Sequence, residues 1–376
     1  MNRKQKFIGI MTGTSLDGID ISLGEFWDNG SPDYSNPYNL YIPFDKDIKE
    51  LLSTLNYDLT LQKYGGVQTY YSELIADAIN VFIETFNINP VEVIAAGIHG
   101  QTVWHEIEGY KINHKIMMFS LQLINAPLIA NRTSLPVIFD FRNADIANGG
   151  EGAPLVPIFD SVFFESNQER ALINIGGISN ITYLSKSIEK SIAFDCGPGN
   201  TWIDIIMQDY FGESFDFDGK SASIGKINEE LLNNLQKLPF LKQVPPKSTG
   251  KELFSKDVLF KFIAQSEIEE KYDILATISY FTAFCINDSI KRFIPDTEEI
   301  LISGGGAKNS FIVNCIKDEL PNIKILDFKD FNLDPDFKES LAFAYLAYLN
   351  YNNIIPEFKH FTGAYKNSVL GSIVYP

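Results

Sequence analysis

Short apolar runs alternate with polar, glycine-bearing turns along this chain, and the first such pair sets the pattern. Residues 7–11 are apolar, residues 19–23 are apolar again, and the turn Thr12-Gly13-Thr14-Ser15-Leu16-Asp17-Gly18 lies between them. No helix fits in that space, so the spacing predicts a tight β-hairpin with a polar tip. A second hairpin of the same kind follows from residue 171. Its strands are 171–174 and 181–184, around Gly176-Gly177. Between the two hairpins, residues 28–39 read as a polar loop or strand connection. Residues 45–56 and 67–86 carry the helical period, the latter with Tyr71, Leu74, Ile75, Ala78, Ile79 and Phe82 on one stripe. Residues 91–98 form a fully apolar run of the buried-strand type, ending in His99-Gly100-Gln101-Thr102. Residues 116–123 predict a strand and 124–132 a short helical turn. Residues 137–141 predict another strand, leading into Asp140-Phe-Arg142-Asn-Ala-Asp145. Pro154 suits the first turn of a helix to about residue 165.

Beyond the second hairpin, residues 191–194 predict a strand that ends in Asp195-Cys-Gly197-Pro-Gly199-Asn200, with a helix over 201–211. Residues 212–225 are polar, and mostly helical sequence follows, interrupted by an exposed loop at 245–252. A long apolar helix is expected over 273–293 with Asp273 as N-cap. The strand 299–303 ends in Gly304-Gly305-Gly306-Ala307-Lys308-Asn309, and another helix begins there. A strand over 323–328 and an amphipathic helix over 339–349 close the pattern. Two hairpins of one type suggest two related halves facing a cleft. At 376 residues the chain is also long for a single core.

Composition narrows the chemistry. A net charge of −17 and a pI near 4.7 argue against nucleic acid or an anionic membrane as partner. An anionic ligand must then be held by local amides, helix N-termini and a few cations. Cys196, Cys285 and Cys315 have neither metal-ligand spacing nor an even count, so a disulfide framework is not expected. No window reaches the ~18 apolar residues of a membrane helix, and the N-terminal apolar stretch is short for a signal peptide, so a cytoplasmic location is expected.

Three loops combine glycine with acidic or amide side chains: residues 13–20, 195–200 and 304–309. In the first, hydroxyls offer hydrogen bonds, and Asp17 and Asp20 are placed to hold a metal directly or through water. Alone, that loop reads as an ordinary hairpin tip. His99 stands just past a buried strand, where open α/β sheets place ligands, or is a satisfied histidine in a turn. Arg142 is either a bidentate clamp for an anion or the partner of Asp140 or Asp145 in a surface ion pair. The strand, glycine turn and helix start around Asp195 together make an anion site. No GxGxxG turn, zinc spacing or nucleophile elbow appears. What remains is a nucleotide held by two phosphate hairpins and a glycine-rich adenosine loop.

The segments GIMTGTSLDGID, GIHGQT, DFRNADIANGGEGAPLVP, NIGGISNIT, FDCGPGN, PKSTGKELF, ISGGGAKN and ESLAFA occur in that order from residue 9 to residue 344. In these the sequence resembles the anhydro-N-acetylmuramic acid kinases of bacterial cell-wall recycling. The resemblance implies an α/β, two-domain actin/hexokinase-like (ribonuclease H-like) fold with a nucleotide cleft between the domains. The domains are expected at 1–168 and 169–376, with the last residues open to a return to the first. It implies ATP and Mg²⁺, an anhydro amino sugar as the other substrate, and room for a homodimer. ATP contacts map to Gly13, Thr14, Ser15, Leu16, Asp17, Gly18, Ile19 and Asp20, then Gly176, Gly177, Gly197 and Gly199, and finally Gly304, Gly305, Gly306, Lys308 and Asn309. Asp17 is the implied Mg²⁺ partner, through water. Asp195 is the implied general base that activates water, against the simpler role of capping the turn after it. His99, Arg142, Asp145 and Glu339 are implied sugar contacts. The family pattern differs here at Thr12, Cys196 and Glu151, and residues 124–127 lack its acid. The last two differences leave another amino sugar or anhydro-sugar open, and a nucleotide sensor without a sugar acceptor is the reading from a different class.

Overall fold

The structure is a computed structural model that describes residues 4–13, 15–55, 60–250 and 252–376, with residues 34–37 by their backbone. The chain divides into two compact units, Met1–Phe164 with Phe331–Pro376, and Glu165–Asp330. The first begins with β1 (Lys4–Met11), β2 (Gly18–Trp27), β3 (Pro32–Pro43), α1 (Lys46–Ser53), α2 (Leu61–Thr85), β4 (Val93–Ile98) and β5 (Gln101–Ile112). It continues with β6 (Lys115–Leu123), α3 (Ala126–Thr133), β7 (Val137–Phe139), α4 (Asn143–Ile146) and α5 (Val156–Phe163). The second unit holds β8 (Arg170–Ile175), β9 (Ile178–Leu184), β10 (Ile192–Pro198), α6 (Thr201–Ile206), α7 (Glu229–Leu235), α8 (Lys256–Gln265), α9 (Lys271–Phe293), β11 (Glu299–Ser303), α10 (Ser310–Glu319) and β12 (Lys324–Leu326). The chain then returns to the first unit with α11 (Lys338–Tyr351), α12 (Lys359–Thr362) and β13 (Ser372–Val374).

The two sheets share one topology. In the first unit the order is β13-β7-β4-β1-β2-β3. Strands β1, β2 and β3 form an antiparallel meander, and β4 and β7 run parallel to β1. In the second the order is β10-β9-β8-β11-β12, again a meander followed by two parallel strands. Both units therefore read third, second, first, fourth, fifth, and the first adds β13 antiparallel to β7 at its edge. That is the ribonuclease H-like arrangement of the actin/hexokinase group. The parallel crossovers need helices, which α2 supplies between β3 and β4 and α9 between β10 and β11. Each sheet lies in its own apolar core. Ile8, Ile10, Ile21, Ile75, Ile79 and Phe82 belong to the first, and Ile173, Ile181, Phe194, Trp202, Leu275 and Ile286 to the second.

Several elements differ from the sequence-based expectation. Residues 32–43 form the edge strand β3, whose polar composition masks its pairing with β2. Strand β5, which alternates poorly because both faces reach solvent over much of its length, pairs with β6 as a separate two-stranded sheet. Helix α5 begins at Val156 with Pro157 in its first turn, so Pro154 precedes it. Glu270, not Asp273, caps α9, and the Asp273 carboxylate instead accepts from Lys226 N at 2.7 Å. Helix α11 is buried along nearly its whole length rather than on one face. It lies on β1, β2 and β4 and against α5. The return from Phe331 also takes far more of the C-terminus out of the second unit than the last residues alone.

Candidate active site

In the first unit the tip between β1 and β2 is pinned from below. Thr12 Oγ1 and Tyr71 OH share a buried 2.8 Å hydrogen bond, and Gln101 Nε2 donates to Gly13 O at 3.3 Å. Leu16, in the left-handed region at φ 58°, donates its N–H to Gly13 O at 3.2 Å, and Phe44 N donates to Asp17 O at 2.9 Å. Thr14 lies outside the described residues. Ser15 and Asp17 are exposed, and Lys49 Nζ stands 3.9 Å from Asp17 Oδ1. Gly18 and Ile19 are committed to the sheet: a Cβ at Gly18 would strike Ile42 O, and the Ile19 side chain is in the core. Asp20 is partly buried. Burial first, and then the charges of Glu339, Asp336, Asp17 and Asp334, push its carboxyl up to about 7.

His99 closes β4 at 4% exposure. It accepts Arg142 Nε at Nε2 (2.9 Å), so its proton sits on Nδ1, a buried atom with no hydrogen-bond partner among the described residues. Burial and the Arg142 charge hold it neutral, well below its ordinary pKa. Arg142 also donates from Nη1 to Gly152 O at 2.7 Å. Its two open partners are taken elsewhere. Asp140 accepts Asn143 Nδ2 at 2.7 Å, and Asp145 accepts Gly152 N and Thr362 Oγ1, each at 2.7 Å. Asp145 is wholly buried and lies behind the glycine loop, where a Cβ at Gly150 would strike its carboxylate. It therefore shapes the loop from behind. Glu339 reaches solvent in the first turn of α11, yet enough protein surrounds it for desolvation to push its pKa up, against the charges of Lys338 and Arg142.

In the second unit the β8–β9 tip and the β10–α6 turn interlock. Gly199 N donates to Gly177 O (2.8 Å), Asn200 N to Gly176 O (2.7 Å), and Thr201 Oγ1 to Gly177 O (2.8 Å). A Cβ at Gly199 would strike Gly176 O, so this glycine lets the two turns nest. Gly197 lies within β10 against Cys285. Gly304, at φ 81°, packs beside Asn174 and opens the turn Gly305–Lys308. Gly305 and Lys308 are exposed and Gly306 is buried. Asn309 is buried as the N-cap of α10, accepting from Ile312 N at 3.2 Å.

Asp195 sits where the β10–β9 register shifts, a bulge that re-aims a side chain. Its N–H donates to Lys247 O at 3.0 Å and its Oδ2 accepts from Thr249 N at 2.8 Å. The carboxylate is thus held from the 245–250 segment and not by amides of the turn that follows it. Burial pushes its pKa up to about 6, with the Thr249 amide and the Lys247 charge pulling the other way. A base of that affinity is mostly ionised at neutral pH and accepts a proton readily. Lys247, placed by the sequence in an exposed loop, is buried. Lys247, Thr249, Gln101 and Tyr71 are the residues the sequence pattern does not single out. The PKSTGKELF and GIHGQT segments hold three of them. Among the described residues no three His, Cys, Asp or Glu side chains gather as a metal site, and no helix is long and apolar enough to cross a membrane.

The sequence profile of the anhydro-N-acetylmuramic acid kinase family matches residues 5–376. The chain belongs to that family. An anhydro-N-acetylmuramic acid kinase of Sulfurimonas denitrificans is 35% identical over 380 residues, covering 98% of each chain. One of Nitrosomonas europaea is 37% identical over 376 residues, with 98% of this chain and 99% of the relative covered. One of Haemophilus influenzae is 37% identical over 387 residues, with 99% and 98% covered. Membership of the anhydro-N-acetylmuramic acid kinase family spans both units, and it includes the hairpin tips, the Asp195 bulge and α11.

Proposed function

We propose that the protein is an ATP-dependent kinase that opens the 1,6-anhydro bridge of anhydro-N-acetylmuramic acid, giving N-acetylmuramic acid 6-phosphate in cell-wall recycling. The observation that carries this reading is Asp195. A carboxylate on a bulge, fixed by a backbone amide and mostly ionised at neutral pH, is suited to take a proton from water. The water oxygen bonds to C1 as the C1–O6 bond breaks, O6 takes the γ-phosphoryl group of ATP, and ADP leaves. Phosphoryl transfer asks the protein chiefly for positioning and for donors around the developing charge.

In the first unit the proposed ATP contacts are the backbone and hydroxyls of residues 13–17 together with Asp20, with Gly18 and Ile19 supporting the tip from within β2. In the second they are Gly176, Gly177, Gly199, Gly304–Gly306 and Lys308, with Gly197 and Asn309 shaping the turns behind them. His99, Arg142 and Glu339 are the proposed sugar contacts, the His99 Nδ1–H having no hydrogen-bond partner of good geometry among the described residues. Asp145 is proposed to hold the loop that presents Gly152. Mg²⁺ is proposed beside Asp17, through water. The residues fit an ion held through water and not by a cage of protein oxygens: Asp17 is exposed at the tip, and no three acidic side chains among the described residues gather to ligate a metal directly. When bound, the ion supplies charge neutralisation at the phosphates.

The test is ATP consumption with anhydro-N-acetylmuramic acid, N-acetylmuramic acid and N-acetylglucosamine offered separately. Turnover is expected with the anhydro-sugar. Turnover of one of the others, with none of the anhydro-sugar, overturns the reading.

A further inference from the structure

The loop between α4 and α5 carries Gly149, Gly150 and Gly152, two of them in the left-handed region at φ 79° and 70°. Backbone of this kind has wide conformational freedom and holds one shape only when it is fixed from outside. The fixing comes from the far end of the chain. Thr362, buried at the end of α12, donates from Oγ1 to Asp145 Oδ1 at 2.7 Å, and its carbonyl accepts Glu151 N at 2.9 Å. Tyr365 N donates to Asn148 O at 3.0 Å, and Asn148 Nδ2 donates to Ser368 Oγ at 3.1 Å. The segment that makes these bonds is itself closed, because Asn367 Oδ1 accepts Phe358 N at 3.0 Å and Lys359 N at 2.8 Å.

From Thr362 the hydrogen bonds run without a gap to the proposed sugar contacts. Asp145 accepts Thr362 through one carboxylate oxygen and Gly152 N through the other, the latter at 2.7 Å. Gly152 O accepts Arg142 Nη1 at 2.7 Å, and Arg142 Nε donates to His99 Nε2 at 2.9 Å. A guanidinium is planar, so fixing Nε and Nη1 fixes its plane and the direction of Nη2. We infer that Thr362 is a positioning residue for the sugar site, acting through Asp145 and Gly152 to set the plane of Arg142. The C-terminal segment is thus a clasp on the sugar loop. The inference rests on the reading of His99 and Arg142 as sugar contacts.

The test measures kcat and the separate KM values for anhydro-N-acetylmuramic acid and ATP in the native protein, Thr362→Val and Thr362→Ser. Valine keeps the shape of threonine and lacks the donor, whereas serine keeps the donor. Thr362→Val is expected to raise the sugar KM about tenfold, since a hydrogen bond to a buried carboxylate is lost. Its kcat and its KM for ATP are expected to stay within about twofold of native, because Arg142 serves bound sugar and transition state alike. Thr362→Ser is expected to keep the sugar KM within about threefold of native. Should the valine variant not fold, Ser368→Ala opens the clasp at a half-buried position, and the sugar KM alone is expected to rise about threefold. An unmoved sugar KM, a fall in kcat alone, or a serine variant as impaired as the valine one overturns the inference and leaves the proposed function standing. A native protein that does not turn over the anhydro-sugar overturns the proposed function and removes the sugar site that Thr362 is inferred to position.

Discussion

Buried charges in this protein are held in different ways, and each arrangement has its own consequence. Asp160 is fully buried on α5 and meets Lys338 Nζ at 3.0 Å, while its other oxygen has no partner among the described residues. Burial pushes its carboxyl up and Lys338 opposes the shift. Removing the cation by Lys338→Met leaves a bare buried carboxylate, a loss on the order of 3–5 kcal/mol near neutral pH. The sign with pH follows from the raised carboxyl. A folded-state pKa above the unfolded one gives stability that is full at low pH and is lost as pH rises through the folded value. The variant is therefore expected to fall further behind the native protein at pH 8 than at pH 5. Urea unfolding at the two values checks this, and an equal deficit at both refutes it. The same contrast shows what single residues disclose in the sequence. Arg142 and Asp195 stand out because they follow apolar runs. Asp145 follows one too, yet its oxygens are taken by Gly152 and by Thr362, a residue more than two hundred positions away, which no local pattern registers. Lys247 sits among Pro, Ser, Thr and Gly and reads as a solvated loop lysine, because the rings that cage it come from Phe240 and Phe293.

At the scale of elements, the governing contact is between α11 and the sheet beneath it. A Cβ at Gly9 on β1 would strike Ser340 O, and one at Gly97 on β4 would strike Phe343 O, so the helix backbone rests directly on the strands. Gly97→Ala forces backbone apart and is expected to cost about 3 kcal/mol or more. Gly66, exposed on α2 with nothing within 4 Å of a built Cβ, is the opposite case. Gly66→Ala is expected to stabilise by up to about 1 kcal/mol. Thermal melts of the two variants should move in opposite directions, and a shift of the same sign in both would refute the distinction. The buried strands β1, β4, β8 and β11 were legible as apolar runs, and the polar tips between them as turns. Strands β3 and β5 were not, because an edge or solvated strand needs little apolar patterning. Helix α11 is apolar almost throughout residues 341–349, and its sequence does not show that the sheet takes one face and α5 another.

The whole molecule repeats one strand order in two units, and the sequence shows that repeat through its hairpins more clearly than through its chain path. What it conceals is that the first unit is discontinuous. A chain ended at Asp330 lacks α11, α12 and β13, and exposes the glycine-lined face of β1, β2 and β4. Limited proteolysis of that shortened chain is expected to protect a fragment close to Glu165–Asp330 and to digest residues before it; a stable fragment covering 4–164 would contradict the dependence on α11. The path also fixes an order of events at the ribosome. Domains generally fold as the chain emerges, N-terminal first. Here the amino-terminal strands leave the tunnel early but wait for a helix that begins only at Lys338. The middle of the gene, by contrast, specifies a unit complete as soon as Asp330 is free. Translation therefore finishes the inner body before the outer one, and a slow stretch of codons just after residue 330 would lengthen the interval in which β1, β2 and β4 stand uncovered.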